Sequence, residues 1–113
     1  MARSNEPAVW SLFAGGGALT ALLLPIHAAA FSLLLPLGLI DAEPAKLATF
    51  LGHPLFRLYA FVLVFLGLFH GAHRLRFALV DLGLEPLRGP ITWVCYGGAI
   101  LGSLLALWVV ITF

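Results

Sequence analysis

The sequence predicts an all-α integral membrane protein with three transmembrane helices, N-terminus inside and C-terminus outside. Three observations carry this. Of 113 residues, 62% are hydrophobic and only 10% charged, whereas a soluble domain carries about 25% charged residues; the mean hydropathy is +1.08. The apolar residues fall into three long runs, about 8–40, 55–80 and 91–113, parted by short stretches rich in proline, glycine and charge. The basic residues are lopsided: Arg3, Arg74, Arg76 and Arg88 lie on one side of these runs, Lys46 and Arg57 on the other. The positive-inside rule puts the arginine-rich side in the cytoplasm. A chain of this length makes a single small membrane bundle, residues 1–113.

Composition also excludes function classes. A net charge of +1 with no basic run gives no footing for nucleic acid. The lone Cys95 rules out an intrachain disulfide and any multi-cysteine metal site, and its apolar setting reads as a small buried residue. Arg3 and Ala28-Ala29-Ala30 imitate a signal peptide. The apolar stretch is longer than the roughly 7–15 residues of such a segment and continues past the alanines, so it reads as a retained span.

The first run opens at Ser4-Asn5-Glu6-Pro7, where Ser4 or Asn5 can cap a helix and Pro7 suits its first turn. Trp10 fits the water–lipid interface. Pro25 removes a hydrogen bond to the Ala21 carbonyl and predicts a kink; Pro36 and Gly38 predict the exit. His27, between them, reads either as a helix–helix hydrogen-bond partner or as a cofactor or proton-path residue. Residues 41–54 form a loop whose Pro44 and Pro54 bound a short interfacial helix over 45–51, with His53 solvated. The second run is aromatic, with Phe56, Tyr59, Phe61, Phe65 and Phe69, and such side chains usually pack. Gly83, Pro86, Gly89 and Pro90 break the chain before the third run, which begins with Trp93 and Tyr96. Gly67/Gly71 and Gly98/Gly102 are small pairs at helical spacing, expected at helix contacts in this subunit or with a partner.

The functional signal lies in His70-Gly71-Ala72-His73-Arg74-Leu75-Arg76. On a helix His70, His73 and Arg74 share one stripe, and ionisable groups at membrane depth usually pair, face protein or line a path. Snorkelling to lipid phosphates explains Arg76 well, and a buried histidine beside an arginine less well. With three spans, the start of the first meets the end of the second. There Trp10, Phe13, Ala14 and Gly17 form a stripe that is aromatic at the water end and small-sided below. An aromatic wall, a small-sided floor and cationic donors suit a flat apolar molecule with carbonyl oxygens, such as a quinone. An aromatic belt with ordinary helix packing accounts for the same residues, and both readings stay open on physical grounds. No nucleophile–base pair, phosphate loop or paired carboxylate is present.

Three stretches bear a resemblance to a known family. The block Arg3-Ser4-Asn5-Glu6-Pro7-Ala8-Val9-Trp10-Ser11-Leu12-Phe13-Ala14-Gly15-Gly16-Gly17 resembles the opening of the D subunit of bacterial quinol:fumarate reductase. So do Leu34-Leu35-Pro36-Leu37-Gly38-Leu39, and His73-Arg74 followed by Asp81-Leu82. The resemblance covers nearly the whole chain. It implies a hydrophobic anchor in the bacterial inner membrane, non-catalytic by itself, that works with the fumarate reductase C subunit. Together they would hold an iron–sulfur subunit and a flavoprotein subunit bearing FAD. Menaquinol oxidised near the cytoplasmic face would send electrons through the clusters, a [3Fe–4S] centre nearest, to fumarate in anaerobic respiration. The same resemblance implies quinone-binding residues Trp10, Phe13, Ala14, His73 and Arg74, with no metal held by this chain. Ala14 stands where the family often has glycine. The family's His-rich segment after the pair is reduced here to Arg76, Phe77 and Val80. Two other readings compete: a haem-bearing cytochrome b anchor of succinate dehydrogenase type using His27, His70 or His73, and a small structural or transport protein without redox partners.

Overall fold

Proline, glycine and one histidine set where each helix begins and ends. In the computed structural model, which describes residues 6–41 and 43–113, the described residues are helical apart from turns and contain no strand. Helix α1 spans Glu6–Ala29 and widens into a π-helical turn over Ala30–Leu34. Arg3 and the Ser4/Asn5 cap lie outside the described residues. The helix continues past Pro25, which has no N–H to offer the Ala21 carbonyl, and the wide turn follows within two turns of it. Gly38 then ends the segment at φ +70°. Leu39 N–H donates to Leu34 O at 3.0 Å and Gly38 N–H to Leu35 O at 3.1 Å, the paired bonds of a glycine C-cap.

Helix α2 (Pro44–Gly52) is the short helix expected between the two prolines. From its first turn, Lys46 reaches back to Asp41 at 2.8 Å and Glu43 at 3.1 Å. Lys46 holds the Asp41 carboxyl below its ordinary value, and Asp41 holds the ammonium above its own. All three groups are exposed, so the cluster orders the loop more than it stabilises the fold. Helix α3 (Pro54–Leu79) starts where exposed His53 accepts a hydrogen bond from Leu55 N–H through Nδ1 at 3.2 Å. A π turn (Val80–Leu84) with Gly83 at φ 101° and a 3-10 turn (Glu85–Leu87) lead to α4 (Arg88–Thr112). The sequence places the third helix from residue 91; it begins three residues earlier. Pro86 and Pro90 fall in first turns, where a missing N–H costs nothing.

Two stretches are long and apolar enough to cross a membrane, Trp10–Leu34 (25 residues) and Pro54–Thr112 (59 residues). The second folds back on itself at Gly83. Contacts between α3 and α4 pair Arg57 with Val110, Leu68 with Gly102, His73 with Tyr96 and Arg76 with Thr92. Those between α1 and α3 pair Gly17 with His70, Thr20 with Gly67 and His27 with Tyr59. Both sets run in opposite directions along the chain, so α3 is the central member of an antiparallel bundle.

Its core is thin and small-sided: Ala72 from α3 lies against Cys95 and Ala99 on α4, with Ser103 below them donating to Ala99 O at 2.7 Å. Among the described residues no large side chain is fully buried, while leucines such as Leu22 and Leu101 face outward. Such a surface has lipid or protein for a neighbour. Gly67 and Gly102 admit Thr20 and Leu68 from neighbouring helices, whereas Gly71 and Gly98 face away from the other helices of this chain. Arg57 donates to Val110 O at 3.3 Å, placing a cation at the C-terminal end of α4.

His27 ties α1 to α3. Its Nδ1–H donates to Leu23 O at 2.6 Å, which leaves Nε2 to accept from the Tyr59 hydroxyl at 3.1 Å. A double-mutant cycle on His27→Leu and Tyr59→Phe, read from denaturant midpoints of detergent-purified protein, should give a coupling of about 0.5–1.5 kcal/mol. Strictly additive effects would show that the bond contributes nothing to helix association.

Candidate functional site

Where α1 and α3 diverge near the start of α1, the helices enclose a cavity of about 320 Å³. Trp10 and Phe13 wall it from α1, and Phe65 and Phe69 form its aromatic side on α3. His70, His73 and Tyr96 supply its polar groups. That volume falls at the low end for small-molecule sites, and mostly apolar walls with a few convergent polar groups are the usual composition of one.

Glycine makes the approach possible. A Cβ on Gly17 would run into the His70 ring, so the imidazole lies directly against the α1 backbone. There Nδ1–H donates to the Phe13 carbonyl at 3.2 Å. Gly16 admits Leu66 in the same way, at 3.3 Å from an added Cβ. Phe13 then covers both imidazoles: its ring stacks on His70 at 4.5 Å and 20° and tilts against His73 at 4.4 Å. Trp10 meets His73 edge-on at 6.0 Å. From α4 the Tyr96 hydroxyl lies 2.6 Å from His73 Nδ1. That bond occupies one ring nitrogen and leaves Nε2 uncommitted among the described residues.

Trp10, Phe13 and His73 are thus brought together. Ala14 and Arg74 do not line the cavity. Both are exposed, Arg74 turning outward one residue beyond His73. The i, i+3, i+4 stripe is wider than the contact: His70 and His73 point at α1, and Arg74 lies at the stripe's edge. Arg76, expected to snorkel, also has partners within the chain. Its Nε donates to Thr92 Oγ1 at 2.7 Å and its guanidinium lies over Phe77 at 4.9 Å. Tyr96 is a cavity residue that helical spacing alone does not reveal. The chain turns back near Gly83, and the register fixed by the Arg76–Thr92 and Leu68–Gly102 contacts on either side sets Tyr96 level with His73.

At the opposite end, a cavity of about 390 Å³ beside His27 and a larger open groove under α2 share Lys46, Phe50 and Phe56. In the cavity, His27, Asp41 and Lys46 are already paired.

The family model for the D subunit of fumarate reductase matches residues 1–111. The chain belongs to this family. It is 45% identical over 113 residues to the fumarate reductase D subunit of Mycobacterium tuberculosis (strain ATCC 25618 / H37Rv), covering 97% of this chain and 90% of that one. It is 34% identical to the D subunit of Haemophilus ducreyi over 110 residues, 96% and 92% of the two chains. The corresponding protein of Haemophilus influenzae (strain 86-028NP) is 35% identical over 107 residues, 95% and 88% of the two chains. As a member of this family the chain is a membrane-anchor subunit of an enzyme complex, in keeping with its long apolar helices.

The Gly17–His70 contact makes a direct demand. Gly17→Ala should destabilise the protein by about 1–3 kcal/mol, because the methyl overlaps a ring backed by Phe13. Gly15, two residues away, has open space around it, so Gly15→Ala should be neutral or stabilising by up to about 1 kcal/mol. Equal denaturant midpoints for the two variants would refute the close approach.

Proposed function

We propose that this chain is the D-type anchor of an inner-membrane quinol:fumarate reductase and lends one wall of its menaquinol site at the cytoplasmic end of the bundle. The observation that carries this reading is the cavity at the α1–α3 junction. It combines aromatic walls with two imidazoles that each have one nitrogen already held, in a member of this family. In this reading α1, α3 and α4 are three membrane spans, with the N-terminus and the α3–α4 turn in the cytoplasm. The chain binds the C subunit alongside it and the iron–sulfur and flavoprotein subunits on the cytoplasmic face. It carries out no chemistry on fumarate. FAD and the iron–sulfur clusters belong to the partners, and the quinone sits between subunits.

Trp10 and Phe13 would hold the flat headgroup by stacking and edge contacts. His73, braced by Tyr96, would meet one quinol oxygen through Nε2. Arg74, cationic at any relevant pH, lies outside the cavity of this chain alone. It is assigned to the boundary with the partners, where it would offset charge developing on the quinol oxygen. Ala14 lies on the same outward flank. The haem reading finds little support in this chain's histidines. Both nitrogens of His27 are engaged, and His70 and His73, three residues apart on one helix, face the same side.

The decisive comparison sets fumarate reduction driven by quinol against fumarate reduction driven by a soluble artificial donor that bypasses the membrane. His73→Leu and Arg74→Leu should each slow the first by about ten- to a hundredfold and leave the second unchanged. Full quinol turnover in an assembled His73→Leu complex would remove the site. Full turnover in Arg74→Leu alone would return that residue to lipid anchoring.

Orientation has its own measurement. A reporter active only in the periplasm, fused after Phe113, should be active. If only a cytoplasmic reporter works there, the N-in assignment is inverted.

A further inference from the structure

His70 lines the cavity but has no role in the assignment above, and its geometry is more constrained than that of His73. The partner of its Nδ1 is a backbone carbonyl, Phe13 O, at 3.2 Å. A carbonyl only accepts, so Nδ1 carries the proton and the lone pair of the neutral ring is on Nε2. His73 has no such constraint, because the Tyr96 hydroxyl can donate to Nδ1 or accept from it. An imidazole anchored by Nδ1–H has Nε2 left to take a proton, and among the described residues no group bonds to it.

We propose that His70 is the proton acceptor for quinol in this cavity, its Nδ1–H anchored on the Phe13 carbonyl and its Nε2 lone pair presented to a quinol hydroxyl. The inference rests on the reading of the cavity as a quinol site. In the step, the quinol O–H breaks and an Nε2–H bond forms while one electron leaves for the iron–sulfur centre of the partner subunit. His70 passes its proton to water at the membrane surface, and as the second electron leaves, the hydroxyl on the far side of the ring gives its proton to a base supplied by the partner subunits. Two electrons and two protons leave, and quinol becomes quinone.

Two features suit His70 to this step. The Nδ1–H···O=C bond is made in both protonation states, so taking a proton requires no rearrangement. The Phe13 ring, stacked at 4.5 Å, presents its π face to the cation. The contact exists because Gly17 has no Cβ to occupy the space of the ring. The charged and titratable groups near His70 are His73, Arg74 and Arg76 on its own helix and Tyr96 from α4. From α1, the packed residues Phe13 and Gly17 bring none.

The test substitutes His70→Asn in the whole complex. The Asn amide can still donate to the Phe13 carbonyl from about the position of Nδ1 but has no lone pair to replace Nε2. Quinol-driven kcat should fall at least about tenfold with KM within about threefold, and the rise in rate between about pH 5.5 and 8 should flatten. Fumarate reduction by the soluble donor should persist. An unchanged kcat, or a pH limb that survives in His70→Asn and disappears in His73→Leu, would overturn the proposal. Quinol turnover indifferent to His70→Asn, His73→Leu and Trp10→Ala alike would bring down the quinol site itself. The unmutated complex gives a second measurement: diethylpyrocarbonate should modify His70 in step with loss of quinol turnover, and a quinone-site inhibitor should protect it. Turnover lost with His70 unmodified, as mapped by mass spectrometry, would likewise overturn the assignment.

Discussion

A side chain can lie against another helix's backbone only where that helix has no Cβ in the way. The bundle depends on this constraint. Gly17 admits the His70 ring, Gly16 admits Leu66, Gly67 admits Thr20 and Gly102 admits Leu68. In a membrane the hydrophobic effect does not drive helices together, because lipid is as apolar as leucine. Close packing and interhelical hydrogen bonds do that work. The same glycines therefore set the helix spacing and bring polar groups of α3 within reach of α1. Structure and candidate site share one cause at the Gly17–His70 contact.

The polar groups follow from it. Each imidazole in the bundle has a ring nitrogen spoken for: His27 by Leu23 O and Tyr59, His70 by Phe13 O, His73 by Tyr96. Buried polar groups need such partners, and in a medium without water the partners must come from the protein itself. The two ends of the bundle differ in what remains. His27 has both nitrogens engaged and so acts as a strut. His70 and His73 each keep one nitrogen, and both face the same cavity. That difference in valence separates a packing histidine from one able to meet a ligand.

The sequence already shows much of this, for physical reasons. Apolar runs and breakers locate helices because proline and glycine act locally: Gly38 caps where expected, and Pro44 and Pro54 begin α2 and α3. Pro86 and Pro90 mislead for the same local reason, since a proline in a first turn begins a helix as readily as it breaks one. The stripe of Trp10, Phe13 and Gly17 and the histidine stripe opposite are readable from helical spacing. Which edge of a stripe makes contact depends on the helix's rotation, which spacing leaves open to within a residue. Arg74 falls on the outer edge for that reason. Tyr96 is hidden because it lies on another helix, and only the register across the Gly83 turn brings it level with His73. Gly71 and Gly98, read from the same spacing, have open space around them in this chain.

The outward Arg74 also bears on how a site of this kind is divided. A guanidinium inside an apolar cavity of one subunit would carry a desolvation cost of several kcal/mol before any substrate arrived. Held at the edge, it stays hydrated until the surrounding surfaces close over it. The neutral groups, Trp10, Phe13 and the two imidazoles, can be assembled within a single chain because their hydrogen bonds and ring contacts are complete there. A permanent cation is better supplied at the last stage, from the rim, when the charge it offsets is about to form. On the proposed reading of the cavity as a quinol site, the chain would present a half-site of aromatic and imidazole groups, and assembly with its partners would bring the positive charge to bear.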